Sequence, residues 1–148
     1  MNKNEMADEL DGLIQLITRT FHSSASTYLS GLDITMQQCA VLKLVDSRGD
    51  PRMTDLAEEL AVTMGNMSSM VERLIKHDLI IRRDDPEDRR IVRIALTAAG
   101  KELLAKAADR RRRAMEMIIG KISPEDRASL RKIIEKLADA IGQEKGEK

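Results

Sequence analysis

The sequence predicts a mainly α fold carrying one small β-hairpin. Two short helices joined by a tight turn are followed directly by the hairpin, with long amphipathic helices at both ends. Three observations predict this. Apolar residues recur at three- and four-residue steps over most of the 148 residues, the mark of helices that bury one stripe. The period drops to two around residues 79–96, where basic and β-branched residues alternate. Only Ala61-Val62 separates one short helical pattern from the next, with Thr63 placed to cap the second, which is helix-turn-helix spacing.

Taken in order, Met6, Leu10, Leu13, Ile17, Phe21, Ala25 and Tyr28 form the stripe of a first helix that should end near Gly31. Thr35 opens a second, with Gln38 three residues on completing a capping-box pattern. Val41, Leu42, Leu44 and Val45 supply its inner face, and Gly49-Asp50-Pro51 stops it. Thr54 is expected to cap a short helix through Leu60. Thr63 caps the next, from Met64 to about His77, with Met67, Met70, Val71 and Leu74 facing inward. Leu79-Ile80-Ile81-Arg82-Arg83 and Arg90 to Leu96 read as paired strands, linked by the charged tip Asp84 to Arg89. This hairpin reads as a wing. Thr97 caps a helix to about Gly120. Ser123-Pro124-Glu125-Asp126 starts the last one with Ser at N-cap, Pro at N1 and two acids in the first turn. Leu130, Ile133, Ile134, Leu137 and Ile141 follow helical spacing, and residues 142–148 read as a frayed polar tail. The expectation is a single domain, 1–148. Within it, 35–96 form the winged helix-turn-helix, flanked by dimerisation helices at 1–32 and 97–142.

Dimerisation is expected because the terminal helices have apolar stripes too long for a small winged region to cover. Each of the last two runs for about 20 residues, roughly 30 Å. No apolar run reaches the roughly 20 residues of a membrane span, and no cationic segment leads into an apolar stretch at the N-terminus. The single cysteine, Cys39, excludes an internal disulfide and suits a reducing compartment. A cytoplasmic protein with no membrane partner is expected.

Formal net charge is zero, with 25 basic and 25 acidic residues. The average hides an asymmetry. Residues 1–72 carry 5 Lys and Arg against 11 Asp and Glu, whereas 73–113 carry 13 against 7. A basic block beside an acidic one steers a polyanion to one face. On the helix after the tight turn, Thr63, Asn66, Ser68, Ser69, Glu72 and Arg73 are left facing outward, several of them short and near the positive helix end. That arrangement suits a major groove. Arg73 has two readings, a phosphate contact or a wing brace through Asp88. Arg89 and Arg90 at the wing tip suit a narrow, electronegative minor groove. Double-stranded DNA is therefore the expected partner. A winged-helix module that binds protein without specific DNA binding is the alternative, and a gel shift on random duplex separates them.

Other chemistry finds little support. Asp84, Asp85, Glu87 and Asp88 lack the alternating spacing and turn glycine of a calcium loop. Arg110 to Arg113 spread round a helix at about 100° each and cannot form one stripe. His22 and His77 lie on different elements, with no His-Glu-x-x-His or cysteine pair for a metal. Cys39, among Ala40, Val41 and Leu42, reads as a buried structural thiol. Neither an enzyme nor a bound metal or cofactor is expected.

The order of elements resembles the multiple-antibiotic-resistance regulator (MarR) family. The residues carrying the resemblance are Leu56-Ala57-Glu58-Glu59-Leu60, Met70-Val71-Glu72-Arg73-Leu74, Leu79-Ile80, and above all Asp84-Asp85-Pro86-Glu87-Asp88-Arg89-Arg90 leading to Leu96-Thr97-Ala98-Ala99-Gly100. The most specific mark is Asp-x-Arg at Asp88 and Arg90. The resemblance implies a homodimeric transcriptional regulator, a repressor on an inverted-repeat operator. It also implies a dimer made by intertwined first and last helices, and a small aromatic effector that releases the DNA. Phe21, His22, Tyr28, Met36 and Cys39 are the candidate effector-pocket residues, where the first two helices should face each other; core packing explains the same residues. The chain departs from the family in two ways. Asp78 stands where members usually have Gly, and Ile14-Gln15-Leu16 occupy the neighbourhood in which peroxide-sensing relatives carry a cysteine.

Overall fold

The computed structural model describes residues 2–146, with side chains described for all of these except 21, 22, 24–27 and 143–146. Its elements run α1 (Lys3–Tyr28), α2 (Met36–Arg48), α3 (Met53–Glu59), α4 (Met64–Lys76), β1 (Ile80–Asp84), β2 (Val92–Leu96), α5 (Ala98–Ile119) and α6 (Pro124–Gly146). They form two compact units, Met1–Arg111 and Arg112–Lys148, and the boundary falls inside α5. No helix among the described residues is long and apolar enough to cross a membrane.

One core organises the first unit. Val41, Leu42 and Val45 of α2 meet Leu56 and Ala57 of α3, Met67, Val71 and Leu74 of α4, Ile80 of β1 and Ile94 of β2. Local chemistry fixes the helix ends around it. Thr35 and Gln38 close their capping box, Oγ1 accepting the Gln38 N–H at 3.1 Å and Oε1 accepting the Thr35 N–H at 3.0 Å. Gly49, in the left-handed region at φ 63°, ends α2.

Helix α3 differs from its expected start. Its N-cap is Arg52 rather than Thr54, and the Asp55 carboxylate accepts the Arg52 N–H at 2.9 Å. A carboxylate at N3 reaching back to the N-cap amide won over a hydroxyl placed two residues too late. The strands are also offset, because pairing begins at Ile80↔Leu96 and ends at Asp84↔Val92. Arg90 and Ile91 therefore belong to the tip and not to β2. A third backbone segment joins the hairpin: Pro51 O accepts the Ile94 N–H at 2.9 Å beside an Arg52↔Arg93 bridge. Pro51 reads in sequence only as a helix stop.

In the second unit, Ser123 Oγ accepts the Asp126 N–H at 3.1 Å, so the expected start of α6 is formed. The helix continues through the supposed frayed tail to Gly146.

Candidate nucleic-acid interface

The helix-turn-helix is α3, residues 60–63, then α4. The turn is a Schellman motif: the Ala61 N–H donates to Glu58 O at 3.1 Å and the Val62 N–H to Ala57 O at 3.0 Å. This puts Ala61 at φ 51°, a left-handed conformation in which its Cβ is strained. Thr63 Oγ1 then accepts the Asn66 N–H at 3.2 Å and starts α4. A second Schellman motif ends α4, with the Asp78 N–H on Ile75 O at 2.9 Å and the Leu79 N–H on Leu74 O at 3.0 Å. Asp78 takes the left-handed position at φ 57°, so aspartate fills the place expected for glycine without changing the turn.

Between these caps α4 divides cleanly. Met67, Val71 and Leu74 are fully buried, Ser68 is half-buried, and Thr63, Asn66, Ser69, Glu72 and Arg73 are exposed. Small polar side chains at the N-terminal end leave the outer face low, so a groove wall can approach the backbone. Among the described residues, Arg73, Lys76 and Arg89 have no ion-pair partner. That corrects the reading of Arg73 as a brace to Asp88. An ion pair does join α4 to the wing, but it is Glu72 with Arg82 of β1.

At the wing tip, Asp88 takes Arg90. Its Oδ1 accepts the Arg90 N–H at 3.0 Å and Nε at 3.1 Å, and its Oδ2 accepts Nη2 at 3.1 Å. The Arg90 guanidinium holds the Asp88 carboxyl below the usual carboxylate range. Even so the Arg90 side chain is 90% exposed, a preoriented cation facing outward. Asp85, read in sequence as one more charge in the tip, is buried. Its Oδ1 accepts the N–H groups of Glu87 at 2.9 Å and Asp88 at 3.1 Å, and its Oδ2 takes Arg93 Nε. The Arg93 bond, then that from the Glu87 amide, lowers its pKa. A carboxylate two and three residues before amides it can accept is an Asx-turn signal, legible in Asp85-Pro86-Glu87-Asp88.

The candidate effector residues come together in part. Tyr28 Oη donates to Met36 Sδ at 3.6 Å. Cys39 is buried with Leu29 and Ala107, and Tyr28 packs at the edge of that cluster. Burial pushes the Cys39 thiol pKa up, against the pull of Lys43 and Arg111. The side chains of Phe21 and His22 lie outside the described residues. A cavity of about 570 Å³ opens elsewhere in this unit, at the α2–α3 corner, and its walls include the charged Arg48, Asp55, Glu58, Glu59 and Arg93.

The family model described as "MarR family" matches residues 34–92, the span from α2 to the first residue of β2. The chain is 31% identical over 121 residues to the HTH-type transcriptional regulator YhbI of Bacillus subtilis, covering 80% of this chain and 79% of the relative. The chain belongs to the MarR family. Solved MarR-family folds superpose closely. A MarR family protein from Bacillus stearothermophilus gives a TM-score of 0.86 at 22% identity, covering 96% of this chain and 99% of the other. A point mutant of S. aureus MepR, solved bound to an oligodeoxyribonucleotide, gives 0.69 at 22% identity, covering 89% and 97%. This MarR-family chain is thus a transcriptional regulator, and α3, α4 and the hairpin are its DNA-binding winged helix.

Proposed function

We propose that the chain is a homodimeric repressor of an inverted-repeat operator, in the cytoplasm, with α4 reading a major groove and the wing tip in the minor groove beside it. The observation that carries this reading is the pairing of two features on one unit: a capped helix with a low polar outer face, and a hairpin whose tip presents Arg89 and Arg90. Thr63, Asn66, Ser68 and Ser69 are the positions for base and phosphate contact. Arg73 and Arg89 are for phosphate, and Arg90 is for the minor groove. The MepR neighbour, solved on an oligodeoxyribonucleotide, supports the same use of the fold.

A two-fold dimer sets its recognition helices about 34–36 Å apart, which dictates the spacing of the repeat. The proposal treats 1–148 as one functional domain, with 1–32 and 97–142 assembling the dimer and 35–96 binding DNA. An aromatic acid lodging near Tyr28, Met36 and Cys39 would act as the releasing ligand. No thermal shift across a panel of aromatic acids would remove that part.

Arg90→Ala tests the wing. On a duplex selected from a random pool by the wild-type protein, affinity should fall on the order of tenfold, and the salt slope should flatten by about one phosphate per subunit. Central base preferences should stay the same. Wild-type affinity and slope in Arg90→Ala would take the wing out of the interface.

A further inference from the structure

We propose that Arg93 is the positioning residue of the wing, setting where Arg90 stands relative to α4 without itself meeting DNA. The inference rests on the reading of Arg90 as a DNA contact.

A two-stranded hairpin is marginal alone and needs a body to pack against. Here the hairpin packs from its root to its middle, through Ile80, Leu96 and Ile94, with Pro51 and Arg52 beside β2. From Asp84 to Arg90 there is no apolar side chain except the ring of Pro86, which is exposed. Beyond that stretch Ile91 is only half-buried, so apolar burial holds the outer half weakly. A continuous polar link fixes it. Arg93 Nη1 donates to Asp50 O at 3.0 Å, a contact spanning 43 residues of chain at the corner between α2 and α3. Arg93 Nε donates to Asp85 Oδ2. The other Asp85 oxygen accepts the Glu87 and Asp88 amides and so shapes the tip. Asp88 in turn holds Arg90 by its backbone N–H and its guanidinium.

One guanidinium thus joins the helix-turn-helix body to Asp85, which shapes the turn that carries Asp88 and Arg90. The planar fork matters, because its two donors point to different elements at once, which a lysine ammonium does less well. Asp85 is 7% exposed and the Arg93 side chain 32%, so the pair is sheltered where most surface ion pairs are screened. Arg93 itself is turned back against the body, while Arg90 faces solvent.

The test is a double-mutant cycle in the full-length protein: wild type, Arg90→Ala, Arg93→Met and both together, titrated on the duplex selected by the wild type at several salt concentrations. Arg93→Met should reproduce most of the Arg90→Ala loss, on the order of fivefold to tenfold, and flatten the salt slope. The double variant should bind no more weakly than Arg90→Ala alone. Asp85→Asn breaks the same link from its other end and still offers an oxygen to the two amides. It should give the same pattern, and it replaces Arg93→Met if that variant fails to melt near the wild-type temperature. Losses that multiply in the double variant, or a wild-type salt slope in both Arg93→Met and Asp85→Asn, overturn the inference. A silent Arg90→Ala is a different failure, because it removes the DNA reading of the wing and the inference with it.

Discussion

Two residues in this winged helix act through backbone geometry and charge. Ala61 occupies the left-handed position of the helix-turn-helix turn at φ 51° and is exposed. A Cβ there costs about 1–2 kcal/mol, part of which glycine loses again to its greater freedom in the unfolded chain. Ala61→Gly should therefore raise stability by about 1 kcal/mol, measurable as a melting-temperature increase of roughly 3 °C, with DNA binding unchanged. A lower melting temperature would mean that Ala61 makes a contact worth more than its strain. Asp85 gives a pH prediction. Its folded pKa lies below the ordinary aspartate value of about 3.9, so the stability it contributes is complete above that value. It is lost only as pH falls through the depressed folded value. Amide exchange at Glu87 and Asp88 should stay protected from neutral pH down to about 4 and rise below it. Loss of protection already at pH 6 would assign the turn to another group.

The junction between β2 and α5 shows how one element aligns another. Thr97 Oγ1 donates to Asp78 O and accepts the Gly100 N–H at 3.0 Å, while the Thr97 N–H donates to Leu79 O at 3.1 Å. The start of α5 is thus tied to the end of α4. Gly100 is buried, and a Cβ there would drive into the Leu79 carbonyl and crowd Leu96. Because the obstacle is backbone, it cannot swing aside. Gly100→Ala should cost about 1–3 kcal/mol in chemical denaturation. Denaturation at the wild-type midpoint would mean the junction yields easily. The closing Leu96-Thr97 and Gly100 pattern was legible as a family mark; its steric reason is visible only where Leu79 returns beside the helix. Arg110 shows a similar limit. It donates to Tyr28 O at 3.3 Å and to Ser30 O, so it caps α1, which has no basic residue in its own last turn. In sequence Arg110 is one of four adjacent arginines with nothing to single it out.

At the scale of the molecule, two helices leave apolar stripes in water. On α1, Met6, Leu10, Leu13, Ile14, Leu16 and Ile17 are each 42–58% exposed. On α6, Leu130, Ile133, Ile134, Leu137 and Ile141 are each 43–58% exposed. Stripes of this extent are uncommon on monomers and fit a subunit interface. Sedimentation at micromolar concentration should give a dimer. Ile134→Glu with Leu137→Glu should shift it toward monomer and weaken operator binding by at least tenfold. A well-folded wild-type monomer would defeat the dimer reading.

The sequence by itself determined the helices, their order and most of their ends, because those features depend on interactions reaching about four residues. The Thr35 and Thr63 caps, the Gly49 stop and the Ser123-Pro124 start are all of this kind. It also determined which face of α4 is buried, since the 3.6-residue period leaves one choice. Only the tertiary structure decided which charge meets which. Glu72 with Arg82, Asp85 with Arg93 and Asp50 with Arg83 span 10, 8 and 33 residues. In a chain with 25 basic and 25 acidic residues, composition leaves many pairings open. The path of the backbone, set by the shared apolar core, brings particular partners within bonding distance.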